Sequence, residues 1–307
     1  MNADAALHRT AFRAMGGDNE LLLATEGIAQ GASVADAAQS AIADVLRIEQ
    51  KYSRYREGSV TTRINRAAGG AAVGIDAETA ALLGYAQTCF EQSEGRFDLT
   101  SGVLRSVWDF ARVPPLRPLA DDVARALANI GWSAVEWDAR TIRLRRPGMQ
   151  IDFGGIGKEY AADRVVTIAQ ESGARHGCVN LGGDVRVWGG RPDGSAWRVG
   201  IRHPRAAVAA VGGVDLHDGA VATSGDYERF VDIDGKRYCH IIDARNGEPV
   251  TAWRSISVVA PLAIVAGSFA TIAMLMQREA PAWLARNSVQ WLGVDADGAL
   301  QGPLGEK

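Results

Sequence analysis

The stretch Asp152-Phe153-Gly154-Gly155-Ile156-Gly157-Lys158-Glu159-Tyr160 decides how the middle of this chain is read. Residues 149–153 have the composition of a strand, 154–157 form a tight glycine loop, and 158–171 pattern as a helix that ends at Gly173. Glycines at such a junction let backbone N–H groups approach an anion, because no Cβ stands in the way, and Lys158 arrives with them at a helix N-terminus. The run is neither of the familiar phosphate loops. A Walker A loop requires glycine where Asp152 stands and Ser or Thr where Glu159 stands. The dinucleotide fingerprint requires a third glycine where Tyr160 stands. A glycine turn that merely packs a helix tightly on a sheet is an equal reading of this stretch taken alone.

Outward from it the pattern is mixed, with no regular alternation of strand and helix. Towards the N-terminus, Leu21-Leu22-Leu23 is a short strand. Ser33 caps a helix, with Asp36 completing a capping box and Val34, Ala38, Ala41, Val45, Ile48 and Tyr52 on one face. Further helices are expected from Asp76 towards Gly95 and over 121–130, with Gly131 just beyond, followed by a hairpin over 132–144. Towards the C-terminus, Cys178-Val179-Asn180-Leu181 is a strand that enters the turn Gly182-Gly183-Asp184. Short strands dominate 197–250, with a hairpin turning at Asp234-Gly235. Residues 255–277 carry no charge and imitate a membrane span, but Pro261 divides them into a strand and a buried helix over 262–276. A last strand covers 290–294. With strands outnumbering helices after residue 180, the fold class is α+β, with mixed or antiparallel sheets and packed helices.

The chain has 307 residues, enough for a core without disulfide or metal staples, and no polar linker divides it, so 1–307 is read as one domain. Its 33 Lys+Arg and 36 Asp+Glu leave a net charge of −3, which argues against a nucleic-acid footprint or a polybasic membrane patch. Cys89, Cys178 and Cys239 are too scattered for a disulfide framework or a zinc motif, and they fit a reducing compartment. Met1-Asn2-Ala3-Asp4 has neither the basic start nor the apolar run of a secretory signal.

Two further clusters carry polar chemistry. Thr223-Ser224-Gly225 follows the strand around Ala222, and His240-Ile241-Ile242-Asp243 places a histidine at a strand end. Each alone is an ordinary turn or a structural histidine. Together with the glycine loop they form a collinear series. The series also includes Phe12-Arg13-Ala14-Met15-Gly16, Ser53-Arg54-Tyr55 with Ser59 and Asn65, and Gly95-Arg96-Phe97-Asp98. Asn180-Leu181-Gly182-Gly183-Asp184 and the run from His240 to Gly247 complete it. This series, spread over residues 10–295, resembles the ApbE-type FAD:protein FMN transferases.

The resemblance implies an enzyme that binds FAD and Mg²⁺, cleaves the pyrophosphate, joins FMN to a Thr or Ser of a flavoprotein and releases AMP; some members instead hydrolyse FAD. By resemblance, Met15, Tyr55, Arg96, Phe97, Asp98, Gly154, Tyr160 and Ile241 contact FAD. Thr223, Ser224 and the Gly182-Gly183-Asp184 turn line the phosphate side, and His240 is the general base. The ion is held by the carbonyl of Gly157 and by Thr271, together with an aspartate whose position is here Gly267. A hard divalent cation prefers anionic oxygen, so that departure weakens the site. Glu159, where the family has glycine, is a second departure; unpaired at ~4 Å it would repel a phosphate by roughly 4 kcal/mol at an effective dielectric of 20. Two readings follow: Glu159 or Asp243 supplies the missing carboxylate and transfer persists, or the chain binds FAD without cleaving it. Many relatives are exported lipoproteins; lacking their signal and lipidated cysteine, this chain is expected in the cytoplasm, acting on a soluble or cytoplasm-facing acceptor.

Overall fold

The computed structural model describes residues 7–26, 28 and 33–305. Residues 1–4, read above for a signal, lie outside them. The frame is an antiparallel sheet of 8 strands whose spatial order follows their order in the chain. These are β1 (Leu7–Ala14), β2 (Gly17–Ala24), β3 (Gly177–Leu181) and β4 (Asp184–Trp188), then β5 (Gly219–Gly225), β6 (Trp253–Ala260), β7 (Gln290–Asp295) and β8 (Leu300–Gln301). Three helices cover one face: α1 (Val34–Tyr52), α2 (Gly157–Glu171) and α3 (Ala263–Met276). The hairpin Trp197–His203/Ala206–Leu216 covers part of the other, where Trp197, Val199 and Ile201 pack on Val187, Val221 and Leu292. The α+β class with antiparallel sheets is therefore the observed one.

Local rules account for the main helices. Ser33 Oγ accepts from Asp36 N at 3.0 Å and Asp36 Oδ2 accepts from Ser33 N at 3.3 Å, closing the expected capping box. α1 then buries Ala38, Ala41, Val45, Ile48 and Tyr52, the expected stripe. α3 is buried almost all round and has no cap from its own sequence neighbours. Its cap comes from α2: the Asp163 carboxylate accepts from Ala263 N at 2.8 Å and from Ile264 N at 2.9 Å. Among the described residues no helix is long and apolar enough to cross a membrane.

The segment 149–153 is not a strand, contrary to its composition. Residues 149–152 are extended but join no ladder, and Phe153–Gly155 is a turn of 3₁₀ helix. The Asn65 side chain takes the place of a partner strand, since Ile151 N donates to Asn65 Oδ1 at 2.8 Å and Asn65 Nδ2 donates to Ile151 O at 3.0 Å. Other differences are of extent. β1 and the Ser59-capped helix Val60–Arg66 were not anticipated. The helix expected over 121–130 is Ala120–Leu127, and the one expected from Asp76 ends at Gln92, short of Gly95. The hairpin at Asp234-Gly235 is present, with φ of 51° and 74° at the two turn residues. Asn65→Ala removes both substitute bonds to Ile151, so a loss of about 1–3 kcal/mol is expected in denaturant unfolding.

Candidate functional site

One cleft of about 1000 Å³ opens where the glycine loop, the β1–β2 turn, β5, α3 and the segment around His240 converge. It brings together Met15, Tyr55, Arg96, Phe97, Asp98, Gly154, Gly157, Thr223, Ser224, His240, Ile241 and Thr271. Tyr160 is not among its lining residues. Its hydroxyl donates instead to Glu78 Oε1 at 2.8 Å, in a network that includes Arg47 and Lys51. Being next to Glu159 on α2, it lies about 100° round the helix from the cleft-facing residue. Asp243 also stays out of the cleft, buried and paired with Arg245 at 2.7 Å.

The aromatic residues sit at two depths. Tyr55 is 75% exposed at the mouth, whereas Phe97 is buried, with its ring 3.1 Å from where a Cβ on Gly155 would stand. Met15 occupies a left-handed turn position (φ 55°) followed by Gly16 (φ 80°). Asn19 braces that turn, donating to Ala14 O at 2.9 Å. Arg96 is buried with one guanidinium nitrogen on Glu94 and another on Glu279, while its Nε has no hydrogen-bond partner among the described residues. Asp98 is committed to the fold: it accepts from Thr100 N and Thr100 Oγ1, each at 2.7 Å, and from Trp132 N at 3.1 Å.

At the floor, Asp152 accepts from Gly154 N at 2.8 Å and pairs with Arg54 at 3.1 Å and Arg105 at 3.2 Å. This fixes the loop, while the first turn of α2 carries no side-chain cap. Lys158 Nζ meets Asp184 Oδ2 at 2.8 Å, and Asp184 Oδ1 accepts from Thr223 N at 3.2 Å. Burial works against the Lys158 ammonium, but Asp184 and Glu159 outweigh it and keep it charged. Two hydroxyl pairs line the wall: Thr223 with Ser257 at 2.7 Å and Ser224 with Thr271 at 2.8 Å. Beside them Glu159 is buried, its Oε2 has no hydrogen-bond partner among the described residues, and burial together with the Asp184 carboxylate pushes its pKa up.

His240 also lines the cleft. Its backbone N–H donates to Arg229 O at 2.9 Å and its Nδ1 lies 3.2 Å from the same carbonyl. That carbonyl can only accept, so Nδ1 carries the proton and Nε2 keeps a free lone pair. Burial, then the positive charges of Arg105 and Arg229, hold the imidazole down to about 4. The histidine is thus neutral at pH 7 and able to take a proton.

The geometry has counterparts among known proteins. The ApbE family model matches residues 15–292. The chain belongs to the ApbE family. It is 31% identical over 245 residues to an FAD:protein FMN transferase of Chlamydia pneumoniae (77% of this chain, 76% of the relative). To that of Treponema pallidum it is 33% identical over 267 residues (81% and 72%). Among solved structures it superposes on the ApbE protein of Thermotoga maritima with a TM-score of 0.89, at 30% identity and 96% coverage of both chains. Against the apo flavinyl transferase ApbE of Pseudomonas stutzeri the TM-score is 0.86, at 25% identity and 98% coverage of both.

Some cleft residues carried no readable signal. Arg105 lies in an unremarkable 3₁₀ segment, yet it pairs with Asp152 and acts on His240. Arg202 comes from the hairpin on the far face and lies 4.6 Å over the Tyr227 ring. Ser257, which is not a lining residue but holds the Thr223 hydroxyl, was hidden in a strand, although its alternation with Ser255 hinted at a polar face. The depressed His240 predicts a pH slope. The unfolded chain takes up that proton near 6.5 and the folded one near 4, so His240 makes stability fall as pH drops through this window. His240→Gln should flatten that slope, as read by thermal melts between these two pH values.

Proposed function

We propose that this chain is an FAD:protein FMN transferase, cleaving FAD and joining FMN to a Ser or Thr hydroxyl of a flavoprotein with release of AMP. The observation that carries the reading is the neutral His240, with Nε2 free, facing the glycine loop, Lys158 and the Thr223–Ser224 wall across one cleft. Family membership and the names of the relatives support the same activity.

The residues divide the work. Tyr55 at the mouth and Phe97 deeper offer aromatic faces to a ring system, and the unpartnered Arg96 Nε offers a donor. The uncapped turn at Gly157, with Lys158, suits the pyrophosphate oxygens. His240 Nε2 takes the proton as the acceptor oxygen attacks the FMN phosphorus. The bond from that phosphorus to the bridging oxygen breaks, and AMP leaves with the bridging oxygen and its electron pair. Phosphoryl transfer of this kind rests on positioning and charge stabilisation rather than on covalent help.

The residues of this cleft fit a divalent cation. The Gly157 carbonyl and the Thr271 hydroxyl are neutral oxygen donors, and the buried Glu159 carboxyl offers a third oxygen that becomes anionic when a cation displaces its proton. Magnesium bound there supplies neutralisation of the charge on the phosphate oxygens. A cytoplasmic setting agrees with three free cysteines, each with its thiol pKa pushed up by burial.

Incubation with FAD and Mg²⁺ should release AMP, and His240→Ala should slow that release by ~10²–10⁴. Retention of intact FAD with no AMP under Mg²⁺ or Mn²⁺ overturns the transferase reading. Free FMN as the sole flavin product, even with a Ser/Thr acceptor flavoprotein present, marks a pyrophosphatase instead.

A further inference from the structure

The N-terminal turn of α2 lies against the middle of α3. α3 presents Gly267, which offers no side chain, and α2 presents Glu159, which fills the space. A Cβ built on Gly267 would stand 2.4 Å from Glu159 Cγ and 3.0 Å from both Cδ and Oε1. No real Cβ makes such contacts, so the position of the carboxylate depends on glycine at 267. The carboxylate is buried and its Oε2 has no hydrogen-bond partner among the described residues. A buried carboxylate with an orphaned oxygen is costly unless it takes up a proton or a cation completes it.

The surroundings specify what completes it. Asp184 is a second, buried carboxylate on the same side of the cleft, and the one ammonium nearby, Lys158, is bonded to Asp184 at 2.8 Å. Lys158 is thereby spent on Asp184, and the Glu159 carboxyl is left without a cation of its own at this contact. Thr271 lies one helical turn beyond Gly267 on the same face of α3, and its hydroxyl is 2.8 Å from Ser224 Oγ. Carboxylate, hydroxyl and the Gly157 carbonyl are all hard oxygen donors, a set suited to Mg²⁺ or Mn²⁺ and poorly suited to softer metals.

We propose that Glu159 is the anionic ligand of a divalent cation in this cleft, seated by the absence of a side chain at Gly267 and joined by the Thr271 hydroxyl and the Gly157 carbonyl. Glu159 and Gly267 then act as one exchanged position. The carboxylate is carried by the helix that follows the glycine loop, and glycine on the helix that carries Thr271 makes room for it. Asp184 keeps Lys158 in place beside the ion rather than coordinating it. Asp243, the other carboxylate near the motif series, is excluded by its pairing with Arg245. The role of this ion rests on the flavin-transfer reading given above; its binding can be tested without it.

Binding of Mn²⁺, as a stand-in for Mg²⁺, can be followed at pH 7.5 with no nucleotide present, through the electron paramagnetic resonance signal of the free ion. The natural chain should take up a single Mn²⁺. Glu159→Gln, nearly equal in shape, should fold and should weaken binding by more than about 10-fold, the least that loss of even an outer partner of a metal costs. Gly267→Asp alone should lower the melting temperature, because its Cβ meets Glu159. The pair Glu159→Ala with Gly267→Asp should recover both the melting temperature and Mn²⁺ binding. Unchanged binding in folded Glu159→Gln, no binding by the natural chain, or a folded double variant that binds no better than Glu159→Gln overturns the proposal. Mn²⁺ bound through Glu159 without any AMP release from FAD would instead sink the transferase reading and leave the site standing.

Discussion

Contact between α2 and α3 is the constraint on which the rest of the structure depends. Asp163 caps α3 from α2 with two hydrogen bonds, so the apolar helix has its exposed N–H groups satisfied by its neighbour rather than by its own sequence. One turn back along α2, Glu159 needs the missing side chain of Gly267 to fit. These two contacts fix how far α2 and α3 stand apart. They thereby fix the spacing between the glycine loop at the head of α2 and the Thr271–Ser224 pair on the far wall. Arg186 on β4 reaches Asp163 at 3.4 Å and ties the same junction to the sheet.

Charge in the cleft is arranged by local pairing rather than by an excess of one sign. Arg54 and Arg105 converge on Asp152, Lys158 on Asp184, and Arg202 on Glu228. Each of these cations is held by an acid of the protein, which explains how a chain of net charge −3 can still present donors to a pyrophosphate. Arg96 is the instructive case: two of its nitrogens are anchored by Glu94 and Glu279, which aims the unpartnered Nε. His240 gains from the same arrangement, since the cations of the cleft and its burial keep it neutral and therefore basic in function.

Much of this was legible in the residues, for identifiable reasons. Positions 38, 41, 45, 48 and 52 follow a helical period, and α1 buries them. Glycines at 182 and 183 mark left-handed turn positions, and both have positive φ. The motif series named the cleft because it is collinear, and of the residues carried over by resemblance only Tyr160 faces elsewhere. The failures share one cause. Residues 149–153 pattern as a strand, but a strand is defined by its partner, and here the partner is the Asn65 side chain. Asp98 lines the cleft as its motif suggests, while its oxygens also accept from Thr100 and Trp132. Arg105 and Arg202 reach the cleft through tertiary contacts that no local pattern announces.

The central claim is that this cleft breaks the pyrophosphate of FAD between its two phosphorus atoms. Phosphorus NMR of FAD incubated with the chain, Mg²⁺ and a Ser/Thr acceptor flavoprotein tests it most directly. The account predicts that the paired pyrophosphate resonances give way to the monoester signal of AMP and a phosphodiester signal that sediments with the acceptor protein. Pyrophosphate resonances that broaden on binding but never give way to these products would contradict it.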